Sequence, residues 1–368
     1  MLRAVPVSTS TLRHDRLSRL RARCAEAGVD AALLAKPQNV TYVSGFTGSA
    51  GMAVVTGREA HLVVDFRYVE QAASQAPDLP RLHAKGPLLD GAAELLRQLG
   101  VRRIGIEEEF LPVAQYRKLS AAIAPSEVVP VEGFDRMRWR KDAGEVAAIR
   151  RAMQVAEAAF GDVLPLIRPG AVERDIAVAL EERLRRRGSE RAPFEIIVAS
   201  GPRAALPHGV AGDRIIGSGE SVTVDFGAVI DGYASDCTRT VVTAPAGDRH
   251  REIYGIVLAA QRAALAGLRA GLTGREADAL GRTLIAQAGY GDAFGHSLGH
   301  GVGLAVHEGP TLSPREEAVL EPGAVVTVEP GIYLPGWGVV RIEDLVVITE
   351  DGCENLTTLS KELIEVRA

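Results

Sequence analysis

The 368-residue chain holds only three cysteines, Cys24, Cys237 and Cys353. They are odd in number, far apart and outside any CxxC spacing, which excludes a disulfide framework and a thiolate zinc site and leaves three reduced thiols. Long hydrophobic runs are also missing. No stretch approaches the roughly eighteen apolar residues of a membrane span, and the opening "MLRAVPVSTSTLRHDR" has no apolar core of a secretion signal, so a cytoplasmic location is expected. Positive charge is not in excess: 42 Lys and Arg stand against 47 Asp and Glu, for a formal charge of -5 and a pI near 6.0. That balance offers no broad basic field to nucleic acid or to an anionic membrane, and small-molecule partners are expected instead.

What is present describes an ordinary globular chain, 46% hydrophobic and 24% charged, able to bury a full core. A prior of roughly 150 residues per domain predicts two units. The first third alternates helical and extended patterns. Leu17, Leu20, Cys24 and Ala27 recur at helical spacing, "AALLA" reads as a buried strand, and "GMAVVTG", "AHLVVDF", "RRIGIEEE" and "EVVPVEG" read as further strands between helical stretches. Residues 1–135 are therefore read as one α/β domain. The pattern changes at "DRMRWRKDAGEVAAIRRAMQVAEAAF", where Asp142 is a candidate N-cap and Val146, Ile149, Met153, Ala156 and Phe160 share one helix face. Residues 136–368 then run helices before strands, twice over, which is α+β order and hints at duplication without a visible sequence repeat.

Two hairpins carry paired carboxylates. In "SVTVDFGAVIDGYASDCTRTVV", Asp231-Gly232 is a two-residue turn signal, and pairing Ile230 with Tyr233 places Asp225 opposite Thr238. Asp225 and Asp236 then share a face as diagonal neighbours, about 7 to 8 Å apart at the backbone. Such a pair invites a counter-ion, although two solvated aspartates read the same way in isolation. In "AVVTVEPGIYLPGWGVVRIEDLVVIT", Glu329 and Glu343 lie in buried β-branched runs, and buried glutamates need partners. They face each other only if the turn around "LPGW" has an odd number of residues; a two-residue turn would oppose them, and pairing of Glu343 with Arg341 is the competing reading.

Between the hairpins stands "GHSLGHGVGLAVHEGP", with His296, His300 and His307. His296 and His300 are four apart, but Ser297 replaces the glutamate of a helical HExxH site, and the glycines disfavour a helix. Gly295, Gly299, Gly301 and Gly303 predict a strand or bulge where something approaches the backbone closely.

Taken together, "VDFG", "SDCTRT", "GHGVGLAVHE", "EPGIY" and "RIED", in that order, resemble the metallopeptidases of the pita-bread fold, in particular the Xaa-Pro aminopeptidase (aminopeptidase P) and prolidase group. The resemblance covers nearly the whole chain and implies a smaller creatinase-like domain ahead of a pita-bread catalytic domain. It implies metal ligands at Asp225, Asp236, His300, Glu329 and Glu343. Asp236 and Glu343 would bridge two ions, and Glu329 would also relay a proton. His208 in "LPHG", His307 and His296 would contact substrate, His208 and His307 would stabilise the reaction's charged intermediate, and Arg341 would orient ligand carboxylates.

Four carboxylates and one imidazole carry a formal charge of -4, matching two divalent cations, and an oxygen-rich set suits Mn(II) while tolerating Co(II) or Zn(II). "TYVSGFTGSAG" resembles aminopeptidase P more than prolidase. The expected activity is thus release of the N-terminal residue before proline, with Xaa-Pro dipeptidase as the alternative and a non-catalytic peptide-binding protein as a third reading, disfavoured by the complete ligand set. Methionine aminopeptidase normally lacks the extra domain, and the creatine hydrolases lack these ligands. A homodimer is implied by the resemblance alone.

Overall fold

The computed structural model describes residues 9–207 and 209–367, so His208 lies outside the described residues. The chain divides into two compact units, 1–138 and 139–368.

In the first unit, helix α1 (Thr9–Glu26) precedes strand β1 (Ala31–Leu34), all four residues of which are buried. Helix α2 (Pro37–Ser44), strands β2 (Gly51–Thr56) and β3 (Ala60–Val64), helix α3 (Val69–Gln75), strand β4 (Arg81–His83), helix α4 (Leu88–Gln98), strand β5 (Arg103–Glu107), helix α5 (Val113–Ile123) and strand β6 (Glu127–Val131) follow. The six strands form one sheet in the order β4-β3-β2-β1-β5-β6, with β1 antiparallel to β2 and parallel to β5. This is the α/β alternation of the sequence pattern. Helix α2 was not expected there, because Val40, Thr41 and Val43 are poor helix formers. Its ends explain it. Pro37 opens the helix with a preset φ, and Gly45 closes it at φ 77°, its N–H donating to the Thr41 carbonyl at 2.7 Å.

The second unit begins with helix α6 (Ala143–Val163), started by a capping box: Asp142 accepts from the Glu145 N–H and Glu145 from the Asp142 N–H, both at 2.9 Å. Ile149, Met153, Ala156 and Phe160 are buried along one face, as their spacing predicts. Helix α7 (Glu173–Arg186) follows, then strands β7 (Ile197–Ser200), β8 (Ser221–Phe226), β9 (Val229–Ile230), β10 (Tyr233–Ala234) and β11 (Cys237–Thr243). Helices α8 (Asp248–Gly267) and α9 (Gly274–Gln287) come next. They precede β12 (Gly299–Gly301), β13 (Glu308–Leu312), β14 (Val325–Val328), β15 (Gly331–Leu334), β16 (Gly338–Arg341), β17 (Asp344–Ile348), β18 (Cys353–Asn355) and β19 (Ile364–Val366).

Each helix pair has its own sheet. One core joins α6 and α7 to the sheet β19-β11-β8-β7, with Phe160 and Phe226 stacked at 4.9 Å between centroids. The other joins α8 and α9 to the sheet β13-β12-β14-β17-β18. Two short ribbons, β9–β10 and β15–β16, complete the described strands. Among the described residues no helix is long and apolar enough to cross a membrane. All three cysteines are free thiols.

Candidate metal centre

Both hairpins take the register that brings their carboxylates together. In the first, Ile230 faces Tyr233 and Asp225 faces Thr238, with Asp231 (φ 52°) and Gly232 (φ 78°) forming the turn. In the second, Leu334 pairs with Gly338, so the connection is Pro335-Gly336-Trp337, an odd number of residues. The same register holds beyond the ribbon, where Val328 pairs with Asp344, and Glu329 and Glu343 therefore occupy matched positions. Glu343 does not pair with Arg341; it accepts from the Thr238 hydroxyl at 2.6 Å.

The histidine segment forms the short strand β12, with a register shift between His300 and Gly301. Two of its glycines, Gly299 and Gly301, make room for the backbone of neighbouring strands. A Cβ on Gly299 would stand 1.9 Å from the Thr327 carbonyl oxygen, and one on Gly301 would stand 2.2 Å from that of Gly309. The expectation of close backbone approach holds there, and the approaching atoms belong to neighbouring strands. A Cβ on Gly295 would meet nothing within 4 Å, so that glycine has no such role.

At this junction six of the residues singled out from sequence converge. Donor atoms of Asp225, Asp236 and Glu343 lie within 4.8 Å of one another, as do those of His300, Glu329 and Glu343, and those of Asp236, His300 and His307. His300 Nε2 is 3.3 Å from Glu329 and 3.5 Å from Asp236. Its Nδ1 lies 3.1 Å from the Gly301 carbonyl, which leaves Nε2 facing the carboxylates. The ring centroids of His300 and His307 are 4.3 Å apart. His296 belongs to none of these groupings, and its Nε2 lies 2.9 Å from the Tyr333 hydroxyl. Arg341 donates to Asp225 at 2.5 Å, to Tyr333 at 2.7 Å and to the Thr238 hydroxyl at 3.0 Å.

The electrostatics are those of an acid cluster short of positive charge. Burial, reinforced by Glu343, Asp225 and Glu329, pushes the Asp236 carboxyl well above the usual carboxylate range. Burial and the charges of Glu329 and Asp225 do the same to Glu343. Burial raises Asp225 as well, against the pull of Arg341. The imidazoles move the other way, burial lowering both His296 and His300 and favouring the neutral form that a metal ion accepts. Asp225 Oδ1 is buried and accepts no hydrogen bond. An orphaned carboxylate oxygen, oxygen-rich donor groups and one neutral imbedded imidazole fit divalent cations.

These residues sit in a cleft of about 430 Å³ in the second unit, also lined by Phe194, Glu195, Ile197, Pro207, Val210 and Tyr333. Tyr333 and Thr238 tie the cluster together and were not singled out as functional by sequence reasoning. The signal was present in part, since Tyr333 ends "EPGIY" and Thr238 is the residue that the first hairpin places opposite Asp225. Nothing in the local pattern around Phe194 and Glu195 points to the cleft.

A cleft with such a cluster is characteristic of a metal-dependent hydrolase. The model of metallopeptidase family M24 matches residues 147–350, and that of the creatinase/prolidase N-terminal domain matches residues 16–139. The chain belongs to metallopeptidase family M24. It is 40% identical over 338 residues to an Xaa-Pro dipeptidase of Pyrococcus horikoshii, covering 91% of this chain and 95% of the relative. Among solved structures it resembles an Xaa-Pro dipeptidase from Bacillus anthracis, with a TM-score of 0.93, 44% identity and coverage of 96% and 100% of the two chains. It also resembles an X-Pro aminopeptidase from Thermotoga maritima, with a TM-score of 0.87, 39% identity and coverage of 95% and 99%.

Proposed function

We propose that the protein hydrolyses the peptide bond preceding proline and acts chiefly on Xaa-Pro dipeptides, releasing free proline. The observation that carries the reading is the convergence of Asp225, Asp236, His300, Glu329 and Glu343 on one cleft floor in a chain of this family. Preference for dipeptides draws on relatives described as Xaa-Pro dipeptidases, and it replaces the expectation drawn from "TYVSGFTGSAG" alone.

In this reading the five residues would hold two divalent ions, Mn(II) first and Co(II) or Zn(II) as substitutes. Bound cations would supply Lewis acidity toward the scissile carbonyl and a water acidic enough to attack near neutral pH. Glu329, hydrogen-bonded to the Thr327 hydroxyl at 3.0 Å, takes the proton released in the attack. His307, exposed in the cleft beside His300, donates to the carbonyl oxygen as charge develops on it. His296 is held by Tyr333 on the substrate side, and Arg341 fixes Asp225 in place. His208 is assigned to the same substrate contacts on the family resemblance. The reading carries with it a cytoplasmic homodimer.

A specific feature favours a second reading, removal of the N-terminal residue from longer Xaa-Pro peptides. Among the described residues lining the cleft, Arg341 is the sole arginine or lysine, and it is engaged by Asp225, so no free cation is at hand for a dipeptide carboxylate. Mass spectrometry of Mn(II)-supplemented digests of matched Leu-Pro and Leu-Pro-Gly tests the choice. Faster cleavage of the dipeptide supports the first reading; faster cleavage of the tripeptide transfers the assignment to an aminopeptidase.

A further inference from the structure

One acid on the cleft wall stands outside the cluster on its floor. Glu195 is exposed, lines the cleft beside Phe194, and among the described residues no hydrogen bond or ion pair reaches it. The neighbouring wall is apolar, formed by Phe194, Ile197, Pro207 and Val210. A second cavity shares Phe194, Glu195 and Val210 and contains three arginines, but each has another partner. Arg174 pairs with Asp213, Arg185 with Glu181 at 3.8 Å and with the Glu190 carbonyl, and Arg191 with Glu190 at 3.8 Å. Glu195 thus stands at the rim of an apolar wall with no hydrogen-bond or ion-pair partner among the described residues.

That combination suits a long aliphatic side chain with a cationic head, its stem on the apolar wall and its head at the carboxylate. We propose that Glu195 selects substrates with lysine or arginine before proline. The inference rests on the proposed cleavage before proline. Because the proline ring is uncharged, side-chain charge in an Xaa-Pro dipeptide can sit only on the first residue. A contact at an exposed rim is weak and screened by salt, so its signature is a modest, salt-sensitive preference.

The test compares Lys-Pro with norleucine-Pro, which has a stem of the same length and no side-chain ammonium, on the metal-supplemented full-length protein. The wild type is expected to favour Lys-Pro by roughly two- to fivefold in kcat/KM at low salt, the range of an exposed ion pair. The ratio should fall toward one in Glu195→Gln and below one in Glu195→Lys. A ratio unchanged by both substitutions overturns the proposal, and that is also the outcome if Glu195 binds the α-ammonium common to both dipeptides. Calorimetric affinities of the two dipeptides for a preparation that does not turn them over give a second, independent ratio, expected to respond to the two substitutions in the same direction. A protein that hydrolyses neither dipeptide would therefore sink the proline-peptidase reading, while the binding ratio still decides the role of Glu195.

Discussion

Glu329 and Glu343 stand at matched positions on the two arms of one hairpin, because the turn between β15 and β16 has three residues. Glu343 also meets Asp225 and Asp236 across from the other hairpin, so it belongs to two of the three donor groupings, whereas Asp225 belongs to one. Glu343→Gln should therefore lose more metal per chain than Asp225→Asn. Elemental analysis of the two purified variants, after equal Mn(II) loading and desalting, gives the comparison; equal losses would remove Glu343 from its shared position.

The two central histidines should separate by readout. His300 Nε2 lies against Glu329 and Asp236, while His307 is exposed. His300→Ala should lower metal stoichiometry. His307→Ala should keep its ions and lose a factor of about 10² to 10³ in turnover, the usual scale for removing a donor to developing charge. His307 is also within ligand reach of Asp236 and His300, which makes the measurement decisive. Loss of an ion from His307→Ala but not from His300→Ala would reverse the two roles.

Thr238 joins the hairpins with one hydroxyl, which donates to Glu343 at 2.6 Å and accepts from Arg341 at 3.0 Å. Valine in its place leaves two buried charged groups short of a partner, a cost of about 1–3 kcal/mol. Thr238→Val should therefore melt earlier and bind Mn(II) about ten- to a hundredfold more weakly, as changes behind metal ligands do. Unchanged metal affinity would show that Thr238 acts on stability alone.

Much of this arrangement is legible in the chain itself. Asp231-Gly232 fixes the turn, the turn fixes the register, and the register alone puts Asp225 opposite Thr238. The second hairpin is different. "LPGW" permits two turn lengths, and pairing across β14 and β17, far from the turn, agrees with only one. The reason for Gly299 and Gly301 was likewise hidden, since the Thr327 and Gly309 carbonyls that crowd them come from later strands. Glu195 carries no local signal because its setting depends on Val210 and on a carboxylate cluster drawn from residues far along the chain.

The acid cluster also makes a pH prediction for the metal-free protein. The Asp236 carboxyl is raised in the folded state, so its contribution to stability is present below the unfolded value of 3.8 and is lost as pH rises through the elevated one. Metal-free Asp236→Asn should therefore melt several degrees above the metal-free wild type at pH 8, with the gap closing as pH falls toward 4. Thermal melts in chelator across that range check it; a gap that widens on acidification would contradict the sign.

The most direct test of metal-dependent cleavage before proline is the release of free amino acid from Leu-Pro and Leu-Ala by one preparation, first stripped by chelator and verified metal-free, then reloaded with Mn(II). The account predicts no turnover in the stripped sample, recovery on reloading, and much faster release from Leu-Pro than from Leu-Ala. Full turnover of Leu-Pro by the verified metal-free protein would contradict it.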